Sequence, residues 1–488
     1  MKHAPVFSAA FLFAVVSLFA ASPTRAQDTP PQDTPPQENP APNPSQPKPA
    51  GREYDPMGGD QADTPDQAVT LNPDNTALTG VLVPGVGTPD MRHSYWVPGI
   101  QYGNFVRSNS LTQPTVSDWN SASFVAGNLS LLQAWSHSQL TLNYSGGGSF
   151  STDKSQGDGY YHQLGVMQAF NWRRWQLSFI DQFSYLPQSQ FGFGAGSSLA
   201  TPGIAGSLGP SLPALETSYQ PSQSIFFTVG TRYSNSATTQ VVLDVSPRGS
   251  LTFSGSYGIL RFVQAGNINS DDSIFSAGYN YALSKKDTIG VLYRFSGYEY
   301  IGNPQAITNH VAEMAYGRKV TGRVAFQLFL GPQITVFRVP LNGVTQKTAV
   351  SGGGNLTYAF SRTGFSLNYN HGVTGGGGAL TGSNTDQIQG AVNRQISRVW
   401  HGNVTFGYAR NAALTNPSGA LLSPTFNAWF AGAGLDRPLG RNANLTIGYT
   451  AYVQDTGLPG CPPGSCISYL QHQIAVSFQW HTRPLILR

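Results

Sequence analysis

The stretch that decides the fold lies near the C-terminus: Leu470-Gln471-His472-Gln473-Ile474-Ala475-Val476-Ser477-Phe478-Gln479-Trp480. Apolar residues hold the even positions, interrupted once by His472, while Gln, Ala and Ser hold the odd ones. A period of two sends successive side chains to opposite faces, so this is a strand with one apolar and one polar face. The pattern recurs upstream. Val324, Phe326, Leu328 and Leu330 alternate with Ala325, Gln327 and Phe329, and Leu445, Ile447 and Tyr449 alternate with Asn444, Thr446 and Gly448. Asn, Gln, Ser, Thr and Gly recur on the polar faces.

The connections between such stretches alternate too. Short ones carry turn residues and cations, as in Trp172-Arg173-Arg174, Pro247-Arg248-Gly249, Ser284-Lys285-Lys286-Asp287, Ser361-Arg362-Thr363-Gly364 and Arg437-Pro438-Leu439-Gly440-Arg441. Between them lie longer segments rich in Gly, Pro and Asn, at 149–158, 187–222, 264–272, 301–306, 339–347, 374–383, 412–423 and 456–467. Short turns on one side and long loops on the other are the pattern of a transmembrane, antiparallel, up-and-down β-barrel. A soluble β-sandwich shares the alternation. Against it stand aromatic residues at both ends of the apolar faces and polar faces too poor in charge for a surface in bulk water.

Composition agrees. Of 488 residues only 11% are charged, 12% are aromatic and 55 are Gly. Soluble domains of this size carry about 25% charged residues, and a helical membrane protein needs several apolar runs of about 20 residues. Mean hydropathy is −0.21, and the one long apolar run is at the extreme N-terminus. Counting back from Trp480 predicts seventeen strands, the first at 122–133. Tyr95 to Arg107 supplies an eighteenth, giving the even number that a closed single-chain barrel requires. Residues 224–234 could extend the strand expected at 237–246 or shift the count, so 16 strands stay open.

The N-terminus reads as an address. Lys2 precedes an apolar run from Phe7 to Ala21, and Thr24-Arg25-Ala26 offers small residues for cleavage between Ala26 and Gln27. Residues 1–26 are therefore expected to be a secretory signal peptide. Residues 27–90 form a Pro-dense spacer, expected to be disordered, with 10 acidic and 2 basic residues. Pro lacks the backbone donor that helix and sheet require. The body from Met91 onward reverses the sign, with 24 basic and 14 acidic residues.

Over about 95–480, the hairpin rhythm and the aromatic girdles resemble the porin-like barrels of the bacterial outer membrane. The resemblance implies residence in that membrane's lipid, escort by periplasmic chaperones and insertion by a barrel assembly machine. Such barrels end in a strand with a terminal aromatic. Gln471 to Trp480 matches, with Phe478 and Trp480, but this chain continues as HTRPLILR to Arg488.

Candidate chemistry is sparse. Cys461 and Cys466 stand alone, in Cys-Pro-Pro-Gly-Ser-Cys within an expected extracellular loop, and are expected to form a local disulfide. His310-Val311-Ala312-Glu313 lacks the second His of a zinc motif, and His401 and Asn403 share a polar face without an evident nucleophile. No catalytic residue, metal site, cofactor or nucleic-acid partner is expected, and the chain is read as a non-enzyme. The nine His look scattered. Gly375 to Gly378 reads as a flexible loop. Arg107, Arg294 and Glu313 are the best candidates for charges lining the lumen. Asp181 falls on the lipid-facing parity, which predicts either a bulge or a shifted register. Loop 187–222 is a candidate constriction, with an external position equally open.

Two functions follow. The first is a channel for small hydrophilic, weakly charged solutes, since barrels of 16–18 strands can enclose an aqueous path. The second is a structural or export-associated barrel, such as a polysaccharide port, whose periplasmic spacer recruits peptidoglycan or another partner. The oligomeric state is not legible.

Overall fold

The computed structural model describes residues 94–108, 119–152, 159–186, 231–263, 267–341, 343–376, 378, 380–414, 425–456 and 469–487. The cleavage site at Ala26 and Gln27, the spacer, Cys461, Cys466 and loop 187–222 lie outside them. The described strands are β1 (Ser94–Ser108), β2 (Trp119–Ala134), β3 (Ser138–Ser151), β4 (Gly159–Asn171), β5 (Trp175–Leu186), β6 (Arg232–Ser246), β7 (Gly249–Phe262), β8 (Ser270–Ala282), β9 (Asp287–Tyr300), β10 (Ala306–Lys319), β11 (Val324–Leu341), β12 (Val344–Ala359), β13 (Thr363–Thr374), β14 (Ser383–Gln395), β15 (His401–Ala413), β16 (Thr425–Pro438), β17 (Ala443–Thr456), β18 (Tyr469–His481) and β19 (Leu485–Leu487). Every strand from β1 to β18 pairs antiparallel with its sequence neighbours, and β18 pairs back onto β1. The barrel is closed with 18 strands.

β19 is not a nineteenth stave. Gly99 to Arg107 of β1 pair with His481 back to Gln473, and Ser94 to Trp96 pair with Leu487 back to Leu485. The second register is offset by one residue, so β19 resumes β18 after a short break at Thr482–Pro484. The tail beyond Trp480 therefore lengthens the closing strand. The amide of Thr482 donates to the Pro98 carbonyl at 2.9 Å across the break. The uncertain segment 224–234 resolves in part: Arg232 to Ser234 open β6.

Register fixes the tilt. Followed from partner to partner through every pairing, the path returns to β1 displaced by 22 residues. With roughly 3.3 Å per residue and roughly 4.8 Å between strands, that stagger inclines the strands by about 40°, as in membrane-spanning barrels.

The two faces sort as the alternation requires. Ile100, Tyr102, Val125, Phe253, Val291, Met314, Leu328, Leu330, Ile474 and Phe478 point outward and are exposed. Gln101, Thr252, Gln327, Gln333, Thr335, Gln471, Gln473 and Ser477 point inward and are buried. Water offers no satisfaction to an unpaired backbone group in lipid, and closure removes both sheet edges that would expose such groups. Aromatic residues near the short turns, among them Trp172, Trp175 and Trp480, form the periplasmic girdle. The cationic turns lie beside it, and Arg437 stacks over the Trp400 ring at 5.3 Å.

Asp181 is a correction to the sequence reading. Neither a bulge nor a shifted register relocates it: β5 pairs without interruption to β4 and β6. Asp181 stays on the outer face and accepts a hydrogen bond of 2.7 Å from Asn235 Nδ2, an outward residue of β6. A partner one strand away supplies what a change of face would have.

Candidate functional site: the lumen and its extracellular mouth

The inner wall has two unlike sides. Around the closure, Phe105, Ala122, Phe124, Ala126, Tyr161 and Ala475 pack together from β1, β2, β4 and β18. Half the strand order away, at β9 and β10, the wall carries a charge pair below a group of apolar side chains near the mouth. Arg294 of β9 and Glu313 of β10 both point inward, with Arg294 Nη2 3.4 Å from Glu313 Oε1. Ser351 of β12 donates to the same oxygen at 2.7 Å. The Glu313 side chain is only 2% exposed, so the pair and the hydroxyl replace the water the carboxylate has lost. Two of the three expected lumenal charges thus meet each other. Arg107 pairs through its backbone with Gln473 and Asn120, and its side chain lies outside the described set. His401 and Asn403 keep to one face of β15, as expected.

The mouth differs most from expectation. β13 follows β12 only as far as the Gly352–His371 pair, while β12 runs on upward with β11. Above that point β13 parts from β12 and bends into the lumen, still paired with β14, which itself stays paired with β15 up to Ser383 and Ala413. Val373 packs against Tyr298, Tyr300, Ile307 and Phe337 on the inner faces of β9, β10 and β11. Tyr298 donates its hydroxyl to the Val373 carbonyl at 3.3 Å. The Ile268 amide, in the β7–β8 connection, donates to the Gly378 carbonyl at 2.8 Å. Leu380 is 4% exposed. Polar groups join the hairpin tip to the next strand. Thr374 Oγ1 lies 2.8 Å from both Ser383 Oγ and Thr385 Oγ1, and Thr385 donates to Asn411 Oδ1 at 2.6 Å.

The glycines of this tip do specific work. Gly376, Gly378 and Gly382 have φ of 85°, 83° and 79°, a region that costs other residues steric strain. A Cβ on Gly382 would strike Ile307 Cδ1. Gly375 to Gly378 therefore does not read correctly as a merely flexible loop: in the described part, the glycines allow a tight turn to fold inward against the wall. Loop 187–222, the constriction candidate from sequence, lies outside the described residues. Among the described residues, those that bend into the mouth are 375, 376, 378 and 380–382.

Sequence reasoning also missed the aromatic patch. Phe105 shares parity with Gln101, and Phe124 with Asn128, so their strands look polar inward on average. Two large inward aromatics on adjacent strands were the available signal. No group of His, Cys, Asp or Glu among the described residues could hold a metal ion. An apolar depression of about 480 Å³, lined by Tyr279, Val291, Met314, Leu328 and Leu330, lies on the outer face and is turned to lipid rather than to the lumen.

Neither a family model nor a curated protein matches the sequence. Solved structures with a similar course include three from Pseudomonas aeruginosa. The outer membrane protein OpdK has a TM-score of 0.39 at 11% identity, covering 79% of this chain and 99% of that one. OpdQ has 0.40 at 9%, covering 81% and 100%, and OpdL 0.39 at 10%, covering 80% and 99%. What assigns the chain is its own architecture: a closed 18-stranded antiparallel barrel, apolar outside and polar inside, is a porin-like β-barrel of the bacterial outer membrane.

Proposed function

We propose that this barrel is a channel for small hydrophilic, weakly charged solutes, narrowed at its extracellular mouth by the tip of the β13–β14 hairpin. The observation that supports the reading is the inward bend of β13, parted from β12 above the Gly352–His371 pair, with the tip of its hairpin packed against the inner faces of β9, β10 and β11. A solute that crosses must exchange its water for wall contacts. The wall offers Gln, Asn, Ser and Thr, the Arg294–Glu313 ion pair, further charges of both signs such as Arg232 and Asp436, and an aromatic patch. Full charges find no ring of opposite sign among the described residues, so the lining supports weak ion selectivity. The export-port alternative rests on residues 27–90, outside the described structure.

Planar-bilayer recording of the purified protein tests this. Stepwise conductance is expected, larger when residues 375–382 are replaced by the turn Asn-Gly. No conductance steps from either protein would overturn the reading.

A further inference from the structure

The outward-facing histidines are not scattered. Tyr144, Tyr293 and Tyr449 each stand six residues beyond the first residue of their strands, Ser138, Asp287 and Ala443. Each hydroxyl reaches the Nδ1 of a His two rungs further up on the next strand: His162 at 2.9 Å, His310 at 2.7 Å and His472 at 2.8 Å. The three pairs sit on β3–β4, β9–β10 and β17–β18, well apart around the barrel, yet at one height. With the strand rise and tilt above, that height is about 15–20 Å above the periplasmic turns, near the upper edge of an apolar band about 25 Å tall. Gly146 fits the same scheme, because a Cβ there would collide with the Tyr144 hydroxyl and His162 Nδ1. Tyr369 and His371 repeat the height on β13, but there Nδ1 meets Asp386 at 2.6 Å, so the chemistry differs.

We infer that the three Tyr–His pairs form a ring that binds phosphate-bearing headgroups of lipids in the outer leaflet. With the Tyr hydroxyl donating to Nδ1, the imidazole proton resides on Nε2. Each ring then presents an N–H donor roughly 5 Å below the upper edge of the apolar band, where a phosphate oxygen of a headgroup is the strong acceptor in reach. The inference is independent of what passes through the lumen.

The test uses the full mature chain reconstituted in phosphatidylcholine vesicles, with spin-labelled phosphatidic acid and spin-labelled diacylglycerol as probes of the lipid shell around the barrel. The second probe lacks only the phosphate. The ratio of association of the two probes is expected to fall about fivefold in H162F/H310F/H472F, the factor that loss of one hydrogen bond per headgroup implies. It should be largely retained in H162Q/H310Q/H472Q, which keeps a donor at each site. Heat-modifiable gel mobility checks that each variant is folded. If the Phe variant fails to fold, Y144F/Y293F/Y449F replaces it, and a lowered ratio is again expected because the imidazole loses its orienting partner. An unchanged ratio in the folded Phe or Tyr variant would overturn the inference, as would equal loss in the Phe and Gln variants.

Discussion

Leu380→Ala is the sharpest probe of the mouth. Leu380 belongs to the tip that leaves the wall, yet its side chain is 4% exposed. Truncating a buried Leu to Ala costs about 2–5 kcal/mol in a rigid core, and a hairpin tip with room to relax belongs near the low end, at about 2.7 kcal/mol. That amount shifts the balance between tucked and released tip by about a hundredfold. Val373→Ala would remove a second contact, from the cluster with Tyr298, Tyr300, Ile307 and Phe337. The two sites share one tip, so their effects are expected to couple rather than simply add. The assay is single-channel recording, with the occupancy of the larger conductance level as readout. Occupancy should rise in Leu380→Ala, rise further in the double variant, and reach its limit when 375–382 is replaced by Asn-Gly. Barrel stability, followed by heat-modifiable mobility, should hardly change, because the ladders that join β13, β14 and β15 end at Thr374, Ser383 and Ala413, short of Leu380 on the tip side. If all three variants record the wild-type conductance histogram, the tip does not obstruct the path and the reasoning fails.

Glu313→Gln leaves the Arg294 guanidinium without its counter-ion, so the reversal potential in a KCl gradient should move toward anion preference, with a loss of about 3 kcal/mol in stability; an unmoved potential would separate this pair from the permeation path. Asp181→Leu should raise the urea midpoint of folding in lipid by the equivalent of about 1–2 kcal/mol, since a carboxylate on the lipid face is a cost that Asn235 only partly offsets. A lowered midpoint would show that the Asp181–Asn235 pair is needed where it stands. Deleting residues 485–488 strips Ser94 to Trp96 of their partners on one side, and the yield of heat-modifiable barrel should drop; normal yield would limit closure to β1 and β18. Non-reducing mass spectrometry should find the Cys461–Cys466 bridge, and two free thiols in the exported protein would refute it.

The wall was legible because its causes are local. Leu470 to Trp480 states its own two faces, and any strand that alternates in this way must choose lipid on one side. The cationic turns between such stretches gave the direction of the chain through the membrane. The mouth was illegible because its causes are not local. Nothing in Gly375 to Gly378 indicates that Val373 will meet Tyr298, 75 positions earlier. Strand alternation also predicts which face a His takes but not its height. The ring of His162, His310 and His472 emerges only when registers align strands that are far apart in sequence. Arg294 and Glu313 fall between these cases: parity placed both inside, and only the β9–β10 register made them a pair.

The sequence by itself determined a β-barrel with apolar exterior, polar interior, a strand count near 18 and a membrane to hold it. A period of two, repeated between turn signals, admits few other architectures in so uncharged a chain. Tertiary structure alone decided that the closing strand continues to Leu487, that Asp181 keeps its face through a neighbour, and that the end of β13 parts from β12 and bends into the lumen. Each of those depends on which strands come to lie side by side or across the barrel from one another. That is a property of closure and stagger, which no single stretch of the chain encodes.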